Sequence, residues 1–390
     1  MILLSIIGTG NYCEVTYRYG EKVATPGKYV IGALLEFLEV DNVLVAMTRD
    51  AADKHENELK NICDFEKIHI PDGRNENELW RIFNAIASKI PENSELVLDV
   101  THGFRSLPML MLAVTVYLQV AKNIKVKHIL YGAFDAKDEN GIAPVFELKP
   151  FIDIISWSFA TDYFIKMGKA NQLKTLTEQI QNRQYRDNTG YKPKGLKNLG
   201  NKLEGLSNAL SSVRIMEALE IARLLPEELK SSKKDVEHIY DAKPLGALFD
   251  KISETFGSMI VPEEKEFEYE GLKAQAEILR FYLQTGQYQQ AITLARELLV
   301  TRVALMMPGN PIGHEERETA EAVLNGRNKN LQLQPFDNKL LEDIINVWQQ
   351  FNDLRNDINH AGMRQNPADA NKMINNIKDT CGKVIEFFCC

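Results

Sequence analysis

Over the first 150 residues, short apolar runs alternate with amphipathic stretches. Ile2–Ile7 is apolar except for Ser5 and runs into Gly8-Thr9-Gly10. A short run of this kind, closed by turn residues, predicts a strand buried on both faces. Thr25-Pro26 reads as a helix start, with Leu34, Leu35, Phe37 and Leu38 further along. Val43–Met47 and Lys67–Ile70 are the next strands, separated by a polar helix carrying Glu56, Glu58 and Lys60. Pro71-Asp72-Gly73 is a turn signal. Asn75–Ile90 places Leu79, Ile82, Phe83 and Ile86 on one helical stripe. Leu96–Val100, Val126–Tyr131 and Pro144–Leu148 complete the strands, and Ser106 caps an apolar helix from Leu107. Strands alternating with helices predict a Rossmann-like, doubly wound α/β domain built on a parallel sheet.

After about residue 155 only helical periodicity remains. Residues 183–202 are basic, with Arg183, Arg186, Lys192, Lys194, Lys197 and Lys202, and contain Asn188-Thr189-Gly190 and Pro193. This stretch is expected to be a loop. A second break falls at Pro262-Glu263-Glu264. The expected organisation is an α/β domain over 1–155, a helical connector over 156–265 and a helical domain over 266–390. The last two helices are expected at Leu340–His360 and Ala368–Phe388.

In a doubly wound sheet, ligands sit beyond the carboxyl ends of the strands at the point where strand order reverses. That rule selects Gly8, Thr9, Gly10 and Asn11 after the first strand, and Thr101, His102, Gly103, Phe104, Arg105 and Ser106 after the fourth. The second loop leads into a helix N-terminus, where free N–H groups favour an anion. Gly103 permits close backbone approach. Arg105 offers a fork for phosphate, and Phe104 or His102 a surface for a base. An ordinary strand–helix turn is the plain alternative. Gly8-Thr9-Gly10 is half a dinucleotide fingerprint, because Cys13 stands where the third glycine belongs, so a standard NAD site is disfavoured. Thr48 or Arg49, after the second strand, could add to the same crevice, but they are expected to start the next helix.

A different chemistry sits in Arg355-Asn356-Asp357-Ile358-Asn359-His360. On a helical wheel Leu340, Ile344, Val347, Phe351, Leu354 and Ile358 form the core stripe. With Leu354 at zero, Arg355 lies near about 100°, Asn356 near about 200° and His360 near about 240°. Asn356 and His360 therefore project away from the core, with Arg355 at its border. Histidine can move protons between a ribose 2′-hydroxyl and the leaving 5′-oxygen. Arginine can stabilise charge on the phosphorus oxygens. One motif offers one imidazole, and a dimer would bring two. A solvated helix face is the plain alternative.

The 390 residues are 44% hydrophobic and 26% charged, ordinary for a globular protein. Lys and Arg number 46 against 54 Asp and Glu, a net charge of −8. An acidic total argues against coating nucleic acid by bulk charge, though a local site needs none. The five cysteines, at 13, 63, 381, 389 and 390, lack metal spacing and suit a reducing cytoplasm. No metal site is expected. The apolar run from Leu107 to Val120 is too short for a membrane span, so a cytoplasmic protein without membrane partners is expected.

Together, Gly8-Thr9-Gly10, the Asp99–Ser106 loop and Arg355-Asn356-xxx-His360 resemble, in order, the CRISPR-associated CARF–HEPN ribonucleases of type III systems. The resemblance implies a Rossmann-like sensor that binds a cyclic oligoadenylate, four- or six-membered, across a homodimer. It implies a helical HEPN domain whose paired motifs cut single-stranded RNA without a metal or cofactor, leaving a 2′,3′-cyclic phosphate. On this sequence Arg355, Asn356 and His360 would be catalytic, and the two loops would hold the activator. Three other functions are weighed beside it: an inert sensor or adaptor, a metabolic nucleotide-binding enzyme, and a sensor domain that also degrades its own ligand.

Overall fold

The computed structural model describes residues 1–103, 107–187, 190–327, 335–363 and 365–388. The chain divides into two compact units, Met1–Ile155 and Ser156–Cys390.

The first unit holds strands β1 (Ile2–Ile7), β2 (Thr16–Tyr19), β3 (Lys22–Val23), β4 (Asn42–Met47), β5 (Glu66–His69), β6 (Glu95–His102), β7 (Lys125–Gly132) and β8 (Ile142–Glu147). They form one sheet in the order β3-β2-β8-β7-β6-β1-β4-β5. Helices α1 (Val30–Phe37), α2 (Arg49–Lys60), α3 (Glu76–Lys89) and α4 (Leu107–Ala121) lie between strands, and α5 (Lys149–Met167) follows β8. The period-2 geometry of a strand sorts its side chains between two cores. Leu4, Ile6, Leu44, Ala46, Leu96 and Leu98 pack with Ile82 and Ile86 of α3 and Met111, Val114 and Leu118 of α4. Leu3, Ile7, Val43, Val45 and Val97 pack with Val30, Ile31 and Leu34 of α1 and Ala51 and Leu59 of α2. The sheet is thus covered on both faces, as the uninterrupted apolar runs predict.

Two expectations need correction. The sheet is mixed, because β8 runs antiparallel to β7 and β3 antiparallel to β2. Nine residues join β7 to β8, too few for a parallel crossover, which takes a dozen or more. The pair β2 and β3, hidden from the hydrophobic pattern by its brevity, adds to β8 in parallel. In addition, α1 begins at Val30, not at Thr25-Pro26. Gly27 is instead bridged to Val15 in both directions at 3.0 Å, and the Thr25 N–H donates to Glu36.

The second unit is helical throughout its described residues. Its helices are α5 from Ser156 onward, α6 (Asn171–Arg186), α7 (Leu196–Ser211), α8 (Ile215–Glu237), α9 (Leu245–Phe256), α10 (Tyr269–Gln284), α11 (Tyr288–Ala304), α12 (His314–Leu324), α13 (Pro335–Asn359) and α14 (Ala370–Glu386). One apolar cluster runs from Trp157 to Phe388. Within the basic stretch 183–202 the expected loop is confined to its centre, residues 190–195 being non-helical, while both ends belong to helices. Arg183 and Arg186 end α6, and Lys197 and Lys202 lie on α7, whose Leu196, Leu199 and Leu203 are buried at helical spacing. The true link is stitched by the buried Asp235 of α8. Its carboxylate accepts from Tyr191 Oη at 2.6 Å, Lys194 N at 2.9 Å and Gly195 N at 2.6 Å.

Candidate functional site

The order of strands places the reversal between β1 and β6. After β1 the chain forms β2 and β3 at the far edge, then runs outward from β1 through β4 and β5 and returns to β1's other side for β6 and β7. The loops leaving the carboxyl ends of β1 and β6 therefore stand side by side. Gly8 N donates to His102 O at 3.1 Å, joining them directly. Gly8–Asn11 and Thr101–Gly103 are thus brought together, while Phe104, Arg105 and Ser106 lie outside the described residues.

Polar groups beneath the crevice set its floor. Ser5 of β1 and Asp99 of β6 are register partners, and the Ser5 hydroxyl donates to the buried Asp99 carboxylate. The other Asp99 oxygen accepts from Thr101 N at 2.9 Å. Thr101 Oγ1 in turn accepts from Gly132 N on β7 at 2.8 Å. Gly132 must be glycine-sized, because a Cβ there would stand 2.8 Å from Tyr17 and 2.9 Å from Val30.

Above the floor is an aromatic cluster that local sequence spacing does not reveal. Tyr12 packs on His102 with ring centroids 4.1 Å apart, and lies 4.9 Å from His55 and 5.7 Å from Tyr29. The Tyr12 hydroxyl donates to Gly8 O and accepts from Gly8 N, both at 3.0 Å, closing the loop on itself. Gly10 leaves room for that ring, since a Cβ there would come within 3.1 Å of it. The turn is further braced from α2: Lys54 Nζ donates to Thr9 O at 2.8 Å and to Asn11 Oδ1 at 2.6 Å. His55 of α2 is buried and meets Gly10 O through Nε2 at 3.1 Å and Tyr29 Oη through Nδ1 at 2.8 Å. Thr48 caps α2 by accepting from Ala51 N.

Electrostatics favour neutral rings here. Burial pushes His102 below the ordinary imidazole value, against the opposing pull of Asp99. Val30 N, at the start of α1, points at His102 Nε2 at 3.5 Å, which suits an unprotonated nitrogen. Burial likewise lowers His55 and raises Tyr12. The exposed outer rim, Thr9, Gly10 and Asn11, presents backbone and amide groups over this braced base. Such a surface can hold a polar, base-bearing ligand by hydrogen bonds and stacking. A separate concavity of about 770 Å³, lined in part by Ile2, Asn42, Cys63 and Glu66, lies at the opposite, amino ends of β1, β4 and β5.

In the second unit, Ile344, Val347, Phe351 and Leu354 of α13 are buried, while Arg355, Asn356 and His360 are exposed. Asp357 is buried and its Oδ2 accepts from Ala368 N at 3.2 Å, tying the following turn to the helix. The helix ends as Ala361 and Gly362 adopt positive φ, 53° and 71°. Gly362 N bonds back to Asp357 O at 3.1 Å. No group of three or more metal-ligating side chains occurs among the described residues. No helix among them is long and apolar enough to cross a membrane.

Residues 2–135 match the family described as CRISPR system endoribonuclease Csx1, CARF domain. CRISPR-associated protein MJ1674 of Methanocaldococcus jannaschii is 31% identical over 120 residues, which cover 28% of this chain and 19% of that protein. The aligned part thus spans about a fifth of that relative's length. The α/β unit, with its crevice between β1 and β6, is a Rossmann-like CARF domain.

Proposed function

From a chain that opens with a CARF domain, we propose a cyclic-oligoadenylate-activated endoribonuclease of type III CRISPR defence. It cuts single-stranded RNA by metal-independent HEPN chemistry, in a composite site formed by two copies. The observation that carries the reading is the joining of a CARF crevice and an exposed Arg355-Asn356-His360 face in one chain.

In this reading the ligand occupies the crevice over Gly8–Asn11 and Thr101–Gly103. His102 contributes a neutral ring and Thr101 a strand end tied to Gly132 and Asp99. Binding shifts the chain toward the active arrangement only as far as the ligand holds that arrangement better than the resting one. At the helical site, His360 exchanges a proton with the ribose 2′-hydroxyl and the 5′-oxygen. The 2′-oxygen attacks the neighbouring phosphorus, the P–O5′ bond breaks, and a 2′,3′-cyclic phosphate and a 5′-hydroxyl result. Arg355 neutralises charge on the non-bridging oxygens, and Asn356 positions phosphate or imidazole. Two copies supply two imidazoles, one able to accept a proton while the other donates.

The test is cleavage of a fluorogenic single-stranded RNA in EDTA, with no activator, cyclic tetra-adenylate or cyclic hexa-adenylate. Cleavage is expected with one ring only. His360→Ala should reduce it by roughly 100-fold or more, the ordinary scale of general acid–base catalysis. Both Arg355 and His360 are exposed, so their alanine variants should keep wild-type thermal stability to within about 0.5 kcal/mol. Ligand binding without cleavage under any condition would replace the nuclease by an inert sensor.

A further inference from the structure

At one end of the helical unit the chain gathers cations and aromatic rings that neither the crevice nor the Arg355–His360 face uses. Residues 183–202 hold six lysines and arginines against one aspartate, in a chain of net charge −8. Contacts draw the end of α6, the link before α7 and the end of α8 into one corner. Arg183 pairs with Asp241 at 2.7 Å, joining α6 to the single turn Tyr240–Ala242 that follows α8. Tyr191, its hydroxyl held by the buried Asp235, stacks on His238 with ring centroids 4.5 Å apart and planes 8° from parallel. Lys192 Nζ donates to Gln184 O at 3.1 Å and Tyr185 O at 3.3 Å and lies 5.2 Å from the Tyr185 ring centre. Lys243 Nζ stands 5.9 Å from the Tyr240 ring centre. Three of these rings face water. Tyr240 is 89% exposed and Tyr185 49%, and His238 is exposed with Tyr191 on one face. Lys194 and Lys197 are exposed too, and no carboxylate pairs with either among the described residues. Most acids nearby are engaged: Asp187 by Arg186, Asp241 by Arg183 and Asp235 by the link, which leaves Glu237 exposed at the end of α8.

We propose that this corner is a second hold for single-stranded RNA, separate from the cleavage motif. The ligand class follows from the chemistry. Unpaired ammonium groups clustered on an acidic protein create a local positive field that suits a polyanion. Exposed rings, each braced by a cation or by a stacked partner, offer flat faces to unstacked bases, which a duplex keeps covered. Cations interleaved with rings suit a strand with phosphates and bases in alternation better than a single small anion, which would use the charges and leave the rings idle. The choice of RNA rests on the nuclease reading above, which the corner deepens. A strand held here stays tethered to the compact unit that carries Arg355 and His360, and that raises its effective concentration at the cutting face.

The experiment uses the full chain carrying His360→Ala, which spares the probe. Fluorescence anisotropy follows a labelled single-stranded RNA of about 20 nucleotides, long enough to fill an extended groove. Tyr240→Ala should weaken binding about fivefold or more, the lower end of what one lost base–aromatic stack costs. Lys194→Gln with Lys197→Gln should shrink the slope of log affinity against log salt by about 1.4, at about 0.7 per phosphate contact. Lys125→Gln with Lys251→Gln removes the same charge from exposed positions elsewhere and should change neither quantity. All the altered side chains are exposed, so each variant should keep its circular dichroism spectrum and unfolding midpoint. Duplex RNA of the same sequence should bind more weakly than the single strand. Unchanged affinity and slope in both corner variants, an equal loss in the control pair, or an equal grip on duplex would overturn the proposal. A DNA strand held more tightly than RNA would overturn RNA as the occupant. Binding that responds as expected, on a wild-type chain that cuts no RNA with either cyclic oligoadenylate, would leave the hold standing and defeat the nuclease reading. Activated cleavage with full binding in the corner variants would do the reverse.

Discussion

One added methyl group at Gly132 should destabilise the α/β unit and disturb the crevice together. A Cβ at this position meets Tyr17 at 2.8 Å, Val30 at 2.9 Å and the Thr101 methyl at 3.3 Å. Real Cβ contacts essentially never fall below 3.0 Å, so the first two neighbours must move. Neither is free to do so, because Tyr17 is 2% exposed and Val30 fully buried. Forcing an extra carbon into a packed core costs about 1–3 kcal/mol. Against this, replacing glycine stiffens the unfolded chain and returns about 0.4–1 kcal/mol. With both contacts inside the limit, the cost sits toward the upper end, and a net loss of about 2 kcal/mol follows for Gly132→Ala. For a unit of this size that is a fall in Tm of roughly 4–8 °C. Differential scanning calorimetry measures it directly. The Thr101 methyl must give by a few tenths of an ångström as well, which strains its 2.8 Å bond from Gly132 N, so affinity for the proposed cyclic oligoadenylate should drop in the same variant. A Tm within 1 °C of wild type would refute the packing argument, and an unchanged affinity would separate Thr101 from the ligand.

Three further outcomes are expected. Tyr12→Phe keeps the ring on His102 but loses both bonds to Gly8, costing about 1–2 kcal/mol in thermal unfolding; an unchanged Tm would mean the clasp contributes nothing. Asp235→Ala strands three donors at the start of α7 and should cost about 3 kcal/mol or more, read by urea unfolding of the helical unit; a loss under 1 kcal/mol would contradict the stitching role. Burial holds His102 and His55 below about 6.5, so the folded state binds fewer protons than the unfolded chain. Stability from these groups is full above about pH 6.5 and is lost as pH falls through their lowered folded-state values. His102→Gln should therefore flatten the decline of Tm below pH 6.5, and an identical slope would exclude His102 as a contributor.

Local spacing alone determined much of this protein. Buried strands and covering helices follow from runs and stripes a few residues long, because side-chain direction repeats every 2 or 3.6 residues whatever the rest of the chain does. The same periodicity set Ile344, Val347, Phe351 and Leu354 inward, leaving Arg355, Asn356 and His360 outside. The switch-point rule picked the β1 and β6 loops, because strand order in a doubly wound sheet constrains where loops gather. Tertiary structure decided what depends on distant residues meeting. The antiparallel β8 and the added β2 and β3 reflect pairing across the sheet, not hydrophobic pattern. The start of α1 moved because Gly27 found a partner in Val15. Composition reads the link before α7 as loop, but the contact by which Asp235 reaches back some forty residues to shape it lies beyond local pattern. Most of all, Tyr12 on His102, and Lys54 and His55 on the Gly8–Asn11 turn, join segments about 45 to 90 residues apart. Such contacts form only once the sheet has set β1 beside β4 and β6, which is why the crevice's place could be read from sequence and its inner bracing could not.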